Sequence, residues 1–349
     1  MPSSLRNVAH ELCSQQVNPG LCSIQFGRKA SSIALRIICD ALLTLARAPQ
    51  HHLGPHISEL IFNACKLSDR QMDLLGNLMG ESKDLQTFII VANDISMKGM
   101  GALADGIRKS KSLNTLEFHS NSICSEEARR ICYAMGASTS LKSISFVHCK
   151  RFAYVGMIGI AYGIGMNPIL RELNINHCWL GAGDASRLAK ALEKNTHMAR
   201  LDISGNNICD DGVASLSLSL SGHNSTLTFL NISSNNFGAS GATSIAKCLS
   251  VNTGLMDLAL MHNPIGDEGA SELAGAICTN LTLENLNVSD TDIGDAGADA
   301  IGKALMLNPI MRTVWIAENL RIGTTGMESL CRAARESASL NGIHFDHDT

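Results

Sequence analysis

The sequence has 349 residues and is close to neutral, with 28 Lys and Arg against 32 Asp and Glu. That balance excludes a strongly basic nucleic-acid binder and a polycationic membrane-surface protein. The charge is uneven, however: residues 1–150 carry 16 Lys and Arg against 12 Asp and Glu, whereas residues 151–349 carry 12 against 20.

In chain order, residues 1–20 read as a capping segment, a short helix from about Leu5 to Gln15 followed by Pro19-Gly20. A repeat array needs such a cover for its first apolar face. Leu21, Ile24 and Phe26 give an imperfect first strand, and the apolar run from Ile33 to Leu45 gives its helix. From Ile57 the pattern becomes periodic. Strand units start at Ile57, Leu85, Leu113, Leu141, Leu170, Met198, Leu227, Leu255, Leu283, Met311 and Leu340, always 28 or 29 residues apart. Apolar residues recur at the first, fourth, sixth and eleventh positions, as in Leu85, Phe88, Ile90 and Ile95. Alternation over the first six positions is a strand with one buried face. The later spacing of each unit, such as Leu273, Ala274 and Ile277, is helical. Asp267 and Asp295 stand where they would cap the helices that follow them.

Two stretches test this register. Ser215-Leu-Ser-Leu-Ser-Leu-Ser221 alternates like a strand, but the period predicts a helix there with Leu216 and Leu220 inward. Gly156, Gly159 and Gly163 lie in a second helical segment, which lacks the Lys-Ser/Thr ending of a phosphate loop. Gly159 and Gly163 exceed what the repeat requires. Either a close neighbour or a weak helix would account for them.

The ninth position holds Asn in most units, and Cys65, Cys149, Cys178 or Thr291 in others. A buried Asn there would bond the backbone of the turn that leaves the strand. This L-x-x-L-x-L-x-x-N/C-x-I/L signature, with its period of 28 or 29, resembles the ribonuclease-inhibitor-like leucine-rich repeats across roughly residues 21–349. The resemblance implies an α/β leucine-rich-repeat solenoid, a horseshoe of about eleven to twelve units. Parallel strands would line its concave face, with helices on the convex face.

The chemical motifs are sparse. The sequence has no Walker motif, no H-E-x-x-H and no G-x-S-x-G, so the chain is read as a non-enzyme without cofactor. His119, His148 and His177 form a row near one end of the strands, with His148 and His177 at equivalent positions. Cys149 and Cys178 should point inward, leaving too few ligands for zinc, so solvated or locally bonded histidines are the preferred reading. The twelve cysteines form no C-x-x-C pair. Together with the absence of a long apolar run, this points to a reducing compartment rather than to secretion or a membrane.

The outward strand positions carry the binding expectation. Ile61, Ile89 and Val91 form one apolar group near the start of the array, and Met261 and Trp315 mark another, with Phe229 nearby. Trp179 falls on a turn toward the convex side. Ile343 and Phe345 face inward on a last strand that no helix follows, so they offer an apolar edge for strand addition. The expected role is a protein–protein interaction scaffold in a cytoplasmic hetero-complex, with a cytoskeletal, ciliary or axonemal assembly as the preferred sub-case. The competing class is a GTPase activator, because the array also resembles the Ran GTPase-activating protein. That family's long acidic tail is missing from this sequence, and no catalytic arginine matches residue by residue.

Overall fold

The structure is a computed structural model that describes residues 22–28, 32–47, 57–123, 125–149, 153–222 and 226–345. The capping helix expected over residues 1–20 lies outside the described residues. Backbone contacts divide the chain into unit 1, Met1–Asn174, and unit 2, Ile175–Thr349.

Unit 1 alternates β1 (Cys22–Phe26), α1 (Ser32–Arg47), β2 (Ile57–Asn63), α2 (Asp69–Glu81), β3 (Thr87–Val91), α3 (Met97–Lys109), β4 (Thr115–His119), α4 (Ser125–Ala137), β5 (Ser143–Val147), α5 (Ala153–Met166) and β6 (Glu172–Asn174). Unit 2 continues with α6 (Ala182–Leu192), β7 (Arg200–Asp202), α7 (Cys209–Gly222), β8 (Phe229–Asn231), α8 (Ala239–Leu249) and β9 (Asp257–Ala259). It ends with α9 (Gly266–Ile277), β10 (Asn285–Asn287), α10 (Asp295–Leu307), β11 (Thr313–Trp315), α11 (Thr324–Glu336) and β12 (Gly342–His344). Within each unit the strands pair in parallel and in chain order. Each pair of parallel strands is joined by a helical crossover, as parallel pairing requires.

The period of two along the strands sorts the side chains. In β3 the fourth and sixth positions, Phe88 and Ile90, are fully buried, whereas Thr87, Ile89 and Val91 are half-buried. Phenylalanines thicken this core in unit 1: Phe26 stacks on Phe62 at 4.9 Å and Phe118 on Phe146 at 5.3 Å. The Ser215–Ser221 stretch is helical, within α7, with Leu216 and Leu220 buried and Leu218 73% exposed. The 28-residue period therefore outweighs local alternation.

The ninth-position residues link successive repeats. The Asn93 amide group donates to Phe62 O and Val91 O, its backbone N–H donates to Asn121 Oδ1, and its own Oδ1 accepts from Cys65 N. In unit 2, Asn235 N donates to Asn263 Oδ1 and Thr291 N to Asn319 Oδ1 in the same way. Each asparagine thus satisfies groups in the preceding repeat as well as in its own.

A second asparagine row was not foreseen. Asn167, Asn195, Asn252, Asn280 and Asn308 stand three residues before the first strand position and accept from the N–H of that position. Asn280 and Asn308 also reach back to Leu249 O and Ile277 O. Ser110 and Ser138 take the same place in unit 1, where Ser110 Oγ accepts from Leu113 N and Ser138 Oγ from Leu141 N. The signal was present in the sequence as Asn at a spacing of 28 between Asn252, Asn280 and Asn308. These asparagines precede the first strand position and lie outside the signature that sets the register.

Gly159 and Gly163 owe their presence to close helix approach. A Cβ on Gly159 would lie 3.0 Å from Arg129 Cα, and one on Gly163 2.8 Å from Cys132 O, both on α4. Of the two explanations, a close neighbour is the one the structure supports.

Candidate functional site

In each unit the helices pack behind the sheet, and the third, fifth and seventh strand positions remain on the other face. In unit 1 the register aligns Glu59, Thr87, Thr115, Ser143 and Glu172 as one row, and Ile61, Ile89, Glu117, Ser145 and Asn174 as the next. Ile61 and Ile89 are therefore direct neighbours, and Val91 pairs with Asn63 one step along. All three apolar side chains are half-buried, so the group expected from the sequence is contiguous. Beside it, His119 Nε2 lies 2.8 Å from Glu117 Oε2, although not aligned for a hydrogen bond.

Unit 2 arranges its anchors differently. Phe229 lies between Arg200 and Asp257 in the third-position row, with the Arg200 guanidinium 3.9 Å from its ring centroid. Trp315 lies between Asn287 and His344 in the fifth-position row and stacks on the His344 ring at 5.4 Å. Met261 follows the end of β9 and is half-buried. Two strands, β9 with Asp257 and Ala259 and β10 with Asn285 and Asn287, separate Phe229 from Trp315 in register. Phe229 and Trp315 are thus separate anchors on one face. Polar side chains on the same face are tied to one another: Asp202 Oδ1 accepts from Ser204 Oγ, Asn231 Nδ2 donates to Asp202 Oδ2, and Asn285 Nδ2 donates to Asp257 Oδ1.

Trp179 has a left-handed backbone, φ 61°, and stands 71% exposed on the turn before α6. Ile343 pairs with Val314 and is half-buried, whereas Phe345, one residue past β12, is 37% exposed. Leu260, Val288 and Ile316 also stand one residue past their strands and are buried, so the exposure of Phe345 departs from the inward position expected for it and is particular to this repeat. His148 and His177 also fall outside strand alternation, in left-handed turns at φ 53° and 51°. The His177 ring rests against Gly205, where an added Cβ would come within 2.3 Å of it. Among the described residues, no group of three or more His, Cys, Asp or Glu is placed to hold a metal ion. No helix among them is long and apolar enough to cross a membrane.

One surface was missed altogether. Helix α5, AYVGMIGIAYGIGM, contains no charged residue, yet Ile158, Tyr162 and Met166 on its outer side are exposed. A helix apolar on all sides is ordinarily buried. The Tyr162 ring packs at a tilt against that of Tyr133 of α4, with centroids 4.3 Å apart. The signal in the sequence is the absence of charge over 14 residues.

The described cysteines are free thiols, and burial governs them. Desolvation pushes the Cys39 and Cys248 thiols up to about 12 and raises Cys132 further still. Such thiols serve as small apolar core groups rather than nucleophiles. Cys278 and Cys331 are exposed. Timed alkylation of the native protein, read by peptide mass spectrometry, is expected to label Cys278 and Cys331 first and Cys132 only on unfolding.

Parallel strands joined by helices, with linked ninth-position asparagines, define a leucine-rich-repeat protein. The comparisons agree: the family described as Leucine Rich repeat matches residues 167–189, 194–217, 223–246, 251–274 and 279–302. Within that class the chain is similar to the ribonuclease inhibitors. Ribonuclease inhibitor of Sus scrofa is 24% identical over 229 residues, covering 65% of this chain and 48% of that protein. Ribonuclease inhibitor of Mus musculus is 26% identical over 231 residues, covering 62% and 51%. NACHT, LRR and PYD domains-containing protein 12 of Homo sapiens is 23% identical over 258 residues, covering 73% and 23%. The chain thus spans about half, or less, of the length of these curated relatives. Among solved structures, a chain in the crystal structure of the Rad7 and Elc1 complex in yeast superposes with a TM-score of 0.51 at 13% identity, covering 82% of this chain and 75% of that one. That likeness is one of fold. Extended, repeat-built surfaces of this kind are binding surfaces.

Proposed function

We propose that the chain is a non-catalytic protein–protein interaction scaffold, and that it serves as a subunit of a cytoplasmic hetero-complex of cytoskeletal or ciliary type. The observation that carries the scaffold reading is the open strand face. In both units every helix packs behind the sheet, while Ile61, Ile89 and Val91 in unit 1, and Phe229, Met261 and Trp315 in unit 2, remain half-exposed in front of it. Aromatic and methionine side chains set among polar groups are the composition of interface anchors. Trp179, Ile343 and Phe345 are secondary contacts on this reading. The many short, uncharged side chains on the helices support membership of a larger assembly.

The test is affinity capture from the native source with the wild-type chain beside a Trp315→Ala/Met261→Ala variant and an Ile61→Ala/Ile89→Ala variant. Loss of a defined set of partners from one variant, with its circular dichroism unchanged, assigns binding to that unit's strand face. An identical set from all three rejects the strand face as the anchor. Added protein is expected to leave GTP hydrolysis by small GTPases unchanged, and stimulation would favour the activator class instead.

A further inference from the structure

Asp267 and Asp295 do not cap the helices in which they lie. Asp267 Oδ1 accepts from Gly294 N and Gly297 N, and Asp295 Oδ1 accepts from Gly323 N and Gly326 N, each in the next repeat. Asp210 does the same for Gly238 N and Gly241 N. An aspartate in the first turn of one helix therefore caps the following helix, where the unpaired N–H groups of a helix start need acceptors.

The residue one step before these aspartates, which follows the buried apolar eleventh position, takes two conformations along unit 2. Gly238, Gly294 and Gly323 each follow a repeat that supplies an aspartate, and all three are extended, with φ −113°, −110° and −97°. Cys209 and Gly266 follow repeats with Ala182 and Ala239 at the aspartate position, and both are left-handed, at φ 54° and 66°. Their N–H groups turn the other way. Cys209 N donates to Asn235 O and Gly266 N to Thr291 O, the ninth-position carbonyls of the following repeat. The N–H three residues on changes partner as well: Gly212 N bonds Ile208 O, whereas Gly241 N bonds the Asp210 carboxylate. Gly181 is extended at φ −107°, with its N–H held by Asp184 of its own helix. Along unit 2 an extended start thus goes with a carboxylate in every case, and a left-handed start with none.

We propose that each of these helix-start residues of unit 2 is a two-state latch: a carboxylate, from the preceding repeat at Gly238, Gly294 and Gly323 and from its own helix at Gly181, holds it extended, and without one it swings to the left-handed state and bonds the following repeat. Either state satisfies the N–H, so neighbouring repeats can exchange one coupling for the other without leaving a buried donor unpaired. Glycine at Gly238, Gly294 and Gly323 keeps both states accessible, because only glycine adopts the left-handed region without strain.

The decisive test uses Gly266, whose added Cβ would meet nothing within 4 Å, so that only its φ opposes a side chain. In the wild-type background, Gly266→Ala is expected to lower the folding equilibrium constant about 5- to 10-fold, the cost of a left-handed alanine. In an Ala239→Asp background the new carboxylate is expected to draw residue 266 into the extended state, and the same substitution should then cost less than about 2-fold. The mirror experiment starts from Gly238→Ala, whose Cβ meets only Pro264 O at 3.5 Å and should be nearly neutral. After Asp210→Ala it should become costly by about 5- to 10-fold. Urea denaturation of the full chain measures all four, and Ala239→Asp adds a group without removing one, so that arm stands even where Asp210→Ala unfolds. Equal costs in both backgrounds overturn the latch.

Discussion

Replacing Asn235 with alanine is expected to destabilise the chain by about 1–3 kcal/mol. Asn235 is fully buried, and its Nδ2 donates to Ile203 O at 2.9 Å, Ile232 O at 3.1 Å and Ser233 O at 3.1 Å. Its Oδ1 accepts from Ile208 N. Alanine takes the acceptor from Ile208 N, at about 1–3 kcal/mol for a buried orphan, whereas Ile203 O keeps Asn206 Nδ2, Ile232 O keeps Asn263 Nδ2 and Ser233 O keeps Gly205 N. Asn235→Asp is expected to be no better, since a carboxylate supplies acceptors where the carbonyls need donors. Urea denaturation followed by circular dichroism measures the change. Lys247→Ala, exposed on α8, serves as the control and should stay within about 0.5 kcal/mol. A loss below about 1 kcal/mol for Asn235→Ala would mean that water replaces the amide, and that the row does not couple repeats.

The repeat itself was legible because each unit restates it. Leu85, Phe88, Ile90 and Ile95 set a register that holds in unit 1, and it overrode the strand-like Ser215–Ser221 stretch correctly. What escaped was polar and reached between repeats. Asp267 reads as a local helix cap because capping rules are written for one helix. Its actual acceptor role, at Gly294 and Gly297, needs the distance between neighbouring helices, which no single unit encodes. The same limit applies to the candidate surface. Ile61 and Ile89 could be paired from register alone, because equivalent positions in a parallel array must align. Phe229 and Trp315 sit at non-equivalent positions, so their separation emerges only once the strands are laid side by side.

Glycine shows how far spacing alone misleads, and two substitutions of opposite sign make the point measurable. Gly76→Ala is expected to cost about 3 kcal/mol or more. A Cβ there would fall 2.2 Å from Ala102 O and 2.7 Å from Ala102 C, both backbone atoms of α3 that no rotamer change can clear. The reciprocal contact, 2.4 Å from a Cβ on Gly106 to Gly76 O, shows that α2 and α3 meet backbone to backbone. The helices must separate, and the loosened contact extends to Met72, Met79, Leu103 and Ile107, which are fully buried in the same two helices. Gly275 on α9 is the contrasting case, because an added Cβ would meet nothing within 4 Å. Gly275→Ala should stabilise the chain by about 0.5–1 kcal/mol, since alanine reduces the entropy lost on helix formation. Thermal or urea unfolding of the two variants beside wild type checks both signs. If Gly76→Ala matched Gly275→Ala, helices α2 and α3 would have room that their backbone contact denies. Because unit 1 holds three such crowded glycines on α2, α3 and α5 (Gly76, Gly106 and Gly163), its helix layer is set by backbone contact, and larger side chains there are excluded whatever the repeat consensus permits.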